Sequence, residues 1–125
     1  MGALVLIVDD DADTRDMLGA ALVAANMQPV AAPDGGAALE MLRGLVPDLI
    51  LLDAVMPGLD GFDTMRIVRQ LDGYKSLPII AVTAKAMVGD RDKCIEAGAS
   101  DYLAKPVNVD VLLATLWRTL HGQAA

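Results

Sequence analysis

Little in this chain could cross-link, stack or span a bilayer. A single cysteine, Cys94, excludes an internal disulfide and a thiolate metal cluster, and suits a structural or incidental role in a reducing compartment. Aromatic residues are only 3% of the 125, so the core must be built from Leu, Val, Ile, Met and Ala. Basic residues are scarce, 10 against 17 acidic, and the net charge of -7 argues against a direct nucleic-acid surface. No apolar run approaches the ~18 residues of a membrane span. Met1 to Leu4 lacks the basic flank of a signal peptide, and Val5-Leu6 lacks the Ser or Thr of a myristoylation motif, so a cytoplasmic location is expected. Neither GxGxxG nor GxxxxGK occurs, which weighs against dinucleotide binding. What is present is 54% apolar residue, too much for a disordered chain and enough to read residues 1–125 as one domain.

Leu49-Ile50-Leu51-Leu52 is an unbroken apolar run closed by Asp53. Such a run reads as a strand buried on both faces, the kind found in parallel sheets between helices. Leu4 to Val8, Gln28 to Ala32, Pro78 to Thr83 and Tyr102 to Ala104 supply four more strands. Between them fall helical patterns: Met17, Leu18, Ala21, Leu22 and Ala25 on one face, capped by Asp11 or Asp13; then Ala37 to Arg43, with Asp34 as a cap. Phe62 to Leu71 follows, stopped by Gly73, then about Val88 to Ala97, stopped by Gly98. Asn108 caps a last helix with Leu112, Leu113, Leu116, Trp117 and Leu120 on its apolar side. Five strand–helix repeats with right-handed crossovers give a three-layer α/β/α sandwich, a (β/α)5 doubly wound parallel sheet. Of the flavodoxin-like and truncated Rossmann orders, the weak second strand suits an edge and favours the flavodoxin-like 2-1-3-4-5.

The inner strands end in polar residues: Asp9 and Asp10 after the first, Asp53 after the third, Thr83 after the fourth and Lys105 after the fifth. In the order 2-1-3-4-5, the first and third strands meet at the switch point, where ligands collect in open sheets. Three carboxylates in one crevice repel one another and require compensation. Hard oxygen donors suit magnesium, with manganese as a substitute, and magnesium readily shares a ligand with phosphate. A carboxylate, a hydroxyl and an ammonium around one point suit a transferring phosphoryl group. Asp53 is then the acceptor, Lys105 neutralises charge and Thr83 donates a hydrogen bond.

With Val8-Asp9-Asp10-Asp11, Leu51-Leu52-Asp53, Met56-Pro57-Gly58-Leu59-Asp60-Gly61, Val82-Thr83-Ala84 and Asp101 to Pro106 in this order, the sequence resembles the CheY-like receiver domain of bacterial two-component response regulators over essentially its whole length. The resemblance implies that Asp53 takes a phosphoryl group from a phosphohistidine on a histidine kinase or a histidine phosphotransfer protein. It implies magnesium held by Asp9, Asp10, Asp53 and the backbone carbonyl of Val55. Thr83 and Tyr102 are implied as switch residues that alter the surface of the fourth helix, last strand and fifth helix for a downstream protein target. A cis Lys105–Pro106 bond is implied too. Where the family often carries polar residues this chain has Val55 and Lys85; Val55 offers no side-chain hydrogen bond to an attacking water, so slow self-dephosphorylation is expected. The output is open: a single-domain regulator and a piece of a hybrid kinase or larger regulator both fit, as monomer or weak homodimer.

Plainer roles are expected for other residues. Asp11 suits a loop or a cap, Asp60 a turn, Trp117 the core or a half-covered helix face, His121 the surface and the methionines core filling. The chain is therefore read as a switch that promotes its own phosphorylation, not as an enzyme with a separate product. Two rival readings are an aspartyl-phosphate phosphohydrolase, which would want a carboxylate where Val55 stands, and a pseudo-receiver scaffold, against which the intact acids argue.

Overall fold

Strands of five residues bury every side chain only when helices cover both faces, and β3 (Leu49–Asp53) and β4 (Ile79–Thr83) do so in the computed structural model, which describes residues 2–54, 61–71, 73–83 and 90–121. They lie at the centre of a five-stranded parallel sheet with β1 (Leu4–Val8), β2 (Gln28–Ala32) and β5 (Asp101–Ala104), in the order β2-β1-β3-β4-β5. The flavodoxin-like order expected from the weak second strand is the one observed. β2 is an edge, and it leaves Gln28 and Ala31 exposed.

Strand residues alternate between two cores. Leu6, Val8, Ile50 and Leu52 face α2 (Gly35–Met41), α3 (Gly61–Gln70) and α4 (Asp90–Ala97), meeting Ala38, Met65, Val68 and Ala97. Val5, Ile7, Leu49 and Leu51 face α1 (Ala12–Ala24) and α5 (Val109–Leu120), meeting Leu18, Leu22, Leu112 and Leu116. Each fully buried leucine contributes about 1.5–3 kcal/mol, so the sheet's two sides carry the stability between them.

Local chemistry sets the helix ends. Asp11, Asp34 and Asn108 accept the backbone N–H of Thr14, Ala37 and Val111 at the starts of α1, α2 and α5. Because Asp34 caps, α2 begins at Gly35 and ends at Met41, two residues ahead of the expected span at each end. Gly98, at φ +124, ends α4, a backbone conformation glycine adopts without penalty. The expected start of α4 at Val88 lies outside the described residues.

Three expectations about packing are corrected. Tyr74 is buried, and its hydroxyl donates to the Leu42 carbonyl at 3.0 Å and the Leu45 carbonyl at 3.3 Å, so an aromatic does enter the core. Trp117 is 62% exposed against His121, because Leu112 and Leu116, four apart, already fill the contact of α5 with the sheet. Met17 is 41% exposed for the same reason: Leu18 and Leu22 make the contact of α1. Cys94 is buried, and His121 is at the surface as expected. Among the described residues no helix is long and apolar enough to cross a membrane.

Candidate phosphoacceptor and metal site

Parallel pairing of β1 with β3 puts Val8 beside Leu52, so the residues that follow, Asp9 and Asp53, emerge side by side at the C-terminal edge of the sheet. Carboxylate oxygens of Asp9, Asp10 and Asp53 all lie within 4.8 Å of one another. Asp9 and Asp53 are buried while Asp10 is exposed, which opens the cluster to solvent. At 4.8 Å and an effective dielectric of about 20, each ionised pair repels by about 3 kcal/mol.

Lys105 answers this repulsion. The backbone N–H of Lys105 donates to the Thr83 carbonyl at 2.8 Å, fixing the lysine at the tip of β4. Its Nζ then lies 2.9 Å from Asp9 Oδ2 and 3.2 Å from Asp53 Oδ2. Burial by itself lowers the lysine's pKa; the hydrogen bond to Asp9 and the charge of Asp53 outweigh it and hold the ammonium above its ordinary value. The Lys105–Pro106 bond is cis, as the resemblance implied.

Among the described residues, one ammonium pairs with this set of three carboxylates and leaves it an excess of negative charge. Oxygen donors alone, one of them solvent-facing, fit a small hard cation that keeps part of its water. The cluster is thus poised for a divalent metal, as the sequence pattern suggested.

Other expected residues fall around it. Thr83 is buried at the end of β4, one step beyond Val82, which pairs with Asp53. Tyr102 is half-buried on β5 and packs against the core on the α2–α3–α4 side. Asp11 is a cap: its carboxylate accepts the Thr14 hydroxyl at 2.6 Å, and that bond lowers its pKa despite the opposing effect of burial. Val55, Asp60 and Lys85 lie outside the described residues.

Sequence reasoning missed two supports of the site. Arg15 donates from Nη1 to the Asp9 carbonyl at 2.7 Å. A cation one turn into a helix that follows an acidic loop was the available signal. Gly61 is buried at the start of α3, where a Cβ would collide with the Asp53 carbonyl oxygen and the Ala54 backbone. The signal was its place at the end of the Met56 to Gly61 stretch that carries the resemblance, from which no role for it was read.

Residues 5–116 match the family described as response regulator receiver domain. Response regulator PleD of Caulobacter vibrioides is 40% identical over 120 residues, which cover 96% of this chain and 26% of PleD. The chain thus spans about a quarter of that relative's length. Chemotaxis protein CheY4 of Vibrio cholerae superposes with a TM-score of 0.90 at 34% identity, covering 95% of this chain and 99% of that one. The receiver domain of a sensor histidine kinase of Pseudomonas aeruginosa PAO1 was solved with a magnesium ion coordinated in its active site cleft. It superposes with a TM-score of 0.89 at 34% identity, covering 97% of this chain and 99% of its own.

Proposed function

The chain belongs to the response regulator receiver domain family, a phosphoaccepting family, and on that footing we propose that Asp53 is its acceptor, taking the phosphoryl group of a phosphohistidine on a histidine kinase or histidine phosphotransfer protein. An oxygen of the ionised Asp53 carboxylate attacks phosphorus, the P–N bond to the donor imidazole breaks with its electron pair on nitrogen, and Asp53 becomes an acyl phosphate. Lys105, already 3.2 Å from Asp53, follows the new charge onto the phosphoryl oxygens. Thr83 donates its hydroxyl to one of them. Asp9, Asp10, Asp53 and the carbonyl of Val55 would hold magnesium, which when bound neutralises charge on the phosphoryl oxygens. The observation that carries this reading is the convergence of three carboxylates within 4.8 Å, two of them paired with Lys105.

The chain promotes this transfer upon itself and releases no separate product. Reorientation of Thr83 and Tyr102 then alters the α4–β5–α5 surface for a protein target; a shift of a few kcal/mol between two pre-existing states suffices. We read residues 1–125 as one receiver domain acting in the cytoplasm.

The test is Asp53→Asn with magnesium and a small reactive phosphodonor. Parent chain takes up acid-labile phosphate stoichiometrically and the variant takes up none. Equal uptake by the variant rejects Asp53. Repeated turnover of a phosphomonoester by the parent would instead favour a phosphohydrolase.

A further inference from the structure

Asp10 is the exposed member of the acidic cluster, and among the described residues no hydrogen bond or ion pair holds its carboxylate. Its aim therefore depends on the two peptide planes that flank it. The plane between Asp10 and Asp11 is held by the Asp11 N–H, which donates to Asp9 Oδ1 at 2.9 Å. The plane between Asp9 and Asp10 is held by its carbonyl, which accepts from Arg15 Nη1 at 2.7 Å.

Arg15 is rooted in the first turns of α1, where its own N–H donates to the Asp11 carbonyl at 3.0 Å. A cation near a helix N-terminus opposes the helix dipole, so helix stability does not explain its place there. The side chain instead reaches six residues back and is half-buried over the loop.

We propose that Arg15 is a positioning residue for the cation site: its guanidinium fixes the Asp9–Asp10 peptide plane and so aims the Asp10 carboxylate at Asp9 and Asp53. This rests on the reading of those three acids as cation ligands. Arg15 touches neither cation nor phosphoryl group. Its effect falls on metal affinity and leaves the transfer step itself intact once the site is filled.

The test titrates the full chain with magnesium ion alone, by calorimetry, and follows amide exchange at Asp11. Arg15→Met should bind magnesium about 10-fold more weakly, as removal of a support behind a metal ligand does. The Asp11 amide should exchange faster, while phosphate uptake at saturating magnesium returns to the parent's rate. Affinity within about 2-fold of the parent overturns the proposal, since supports of this kind cost more. So does weaker binding accompanied by an equal loss of uptake at saturation, which would mean general damage. Should Arg15→Met fail to fold, Arg15→Leu, which likewise carries no donor, is read by the same criteria. A parent chain that binds no magnesium sinks the ligand reading itself, whereas intact binding in the variant sinks only the role of Arg15.

Discussion

Lys105 Nζ stands 3.2 Å from Asp53 Oδ2 although 52 residues separate the two in the chain. The same ammonium is 2.9 Å from Asp9 Oδ2, so one lysine serves as counter-ion to both buried acids. A group that neutralises the resting site is thereby already in place for a transferred phosphate.

Lys105→Met should lower stability by about 2–3 kcal/mol in chelator, somewhat less than the ~3–5 typical of a fully buried pair, because Lys105 is 22% exposed. Magnesium should narrow the gap, since the variant's crevice carries one positive charge fewer and binds the cation more tightly, and each tenfold in Kd adds about 1.4 kcal/mol at saturating cation. Urea unfolding of both chains with and without magnesium measures it. A gap unchanged by magnesium would mean that the metal and the lysine do not answer the same charges.

The pH dependence of that gap has a definite sign. Burial acts to lower the Lys105 pKa, but Asp9 and Asp53 raise it further, so the folded value lies above the ordinary 10.5. The lysine's contribution is then fully present below 10.5 and is lost as pH rises through the higher folded value. Parent and Lys105→Met unfolding curves should therefore keep a constant separation from neutral pH to 10.5 and converge only above it. Asp11 behaves oppositely. The Thr14 hydroxyl holds its pKa below 3.8, so its contribution is present above 3.8 and fades as pH falls through the folded value; Thr14→Val should shrink that acid-side loss.

Gly61→Ala should damage the site from behind. The new Cβ meets backbone atoms of Asp53 and Ala54, which cannot swing aside, so β3 or α3 must move. Overpacking of this kind costs about 1–3 kcal/mol. Phosphate uptake should fall more steeply, by up to about 10²-fold, because the shift is applied to Asp53, the proposed acceptor. Stopped-time phosphorylation of folded variant protein checks it, and an unchanged rate would show that the strand end absorbs the strain.

Arg69→Ala separates stability from function. The guanidinium donates to Gly98 O from Nε at 2.9 Å and Nη2 at 2.6 Å, and from Nη1 to Tyr74 O and Leu77 O. Losing it strands three carbonyls and should cost about 2–4 kcal/mol. Arg69→Lys should restore little, since an ammonium cannot reproduce the fork. Below the melting temperature phosphate uptake should match the parent, because these contacts lie at the end of the sheet opposite Asp53.

Much of the site was legible because its members each end a strand. Asp9, Asp53 and Thr83 follow apolar runs, and a run buried on both faces announces itself by composition alone. Asp34 and Asn108 were legible as caps for a similar reason, since their bonds reach only three residues along the chain. Arg15, Gly61, Arg69 and Tyr74 were not read, because each acts on a backbone carbonyl or carbonyl-bearing turn that no side-chain pattern marks. The exposure of Trp117 was misjudged because an apolar helix face can be wider than the strip the sheet covers.

Taken alone, the amino-acid order determined the number of strands, their sequence, their weak edge and the acids at their tips, since those follow from hydrophobic period and local capping. Tertiary structure decided which acid shares the lysine, which carbonyl Arg15 grips and which aromatic is buried. The contact of Lys105 with Asp53 spans 52 residues and that of Tyr74 with Leu42 spans 32, while Arg15 reaches back only six to a backbone carbonyl that no side-chain pattern marks; such partners are chosen only once the sheet and helices are assembled.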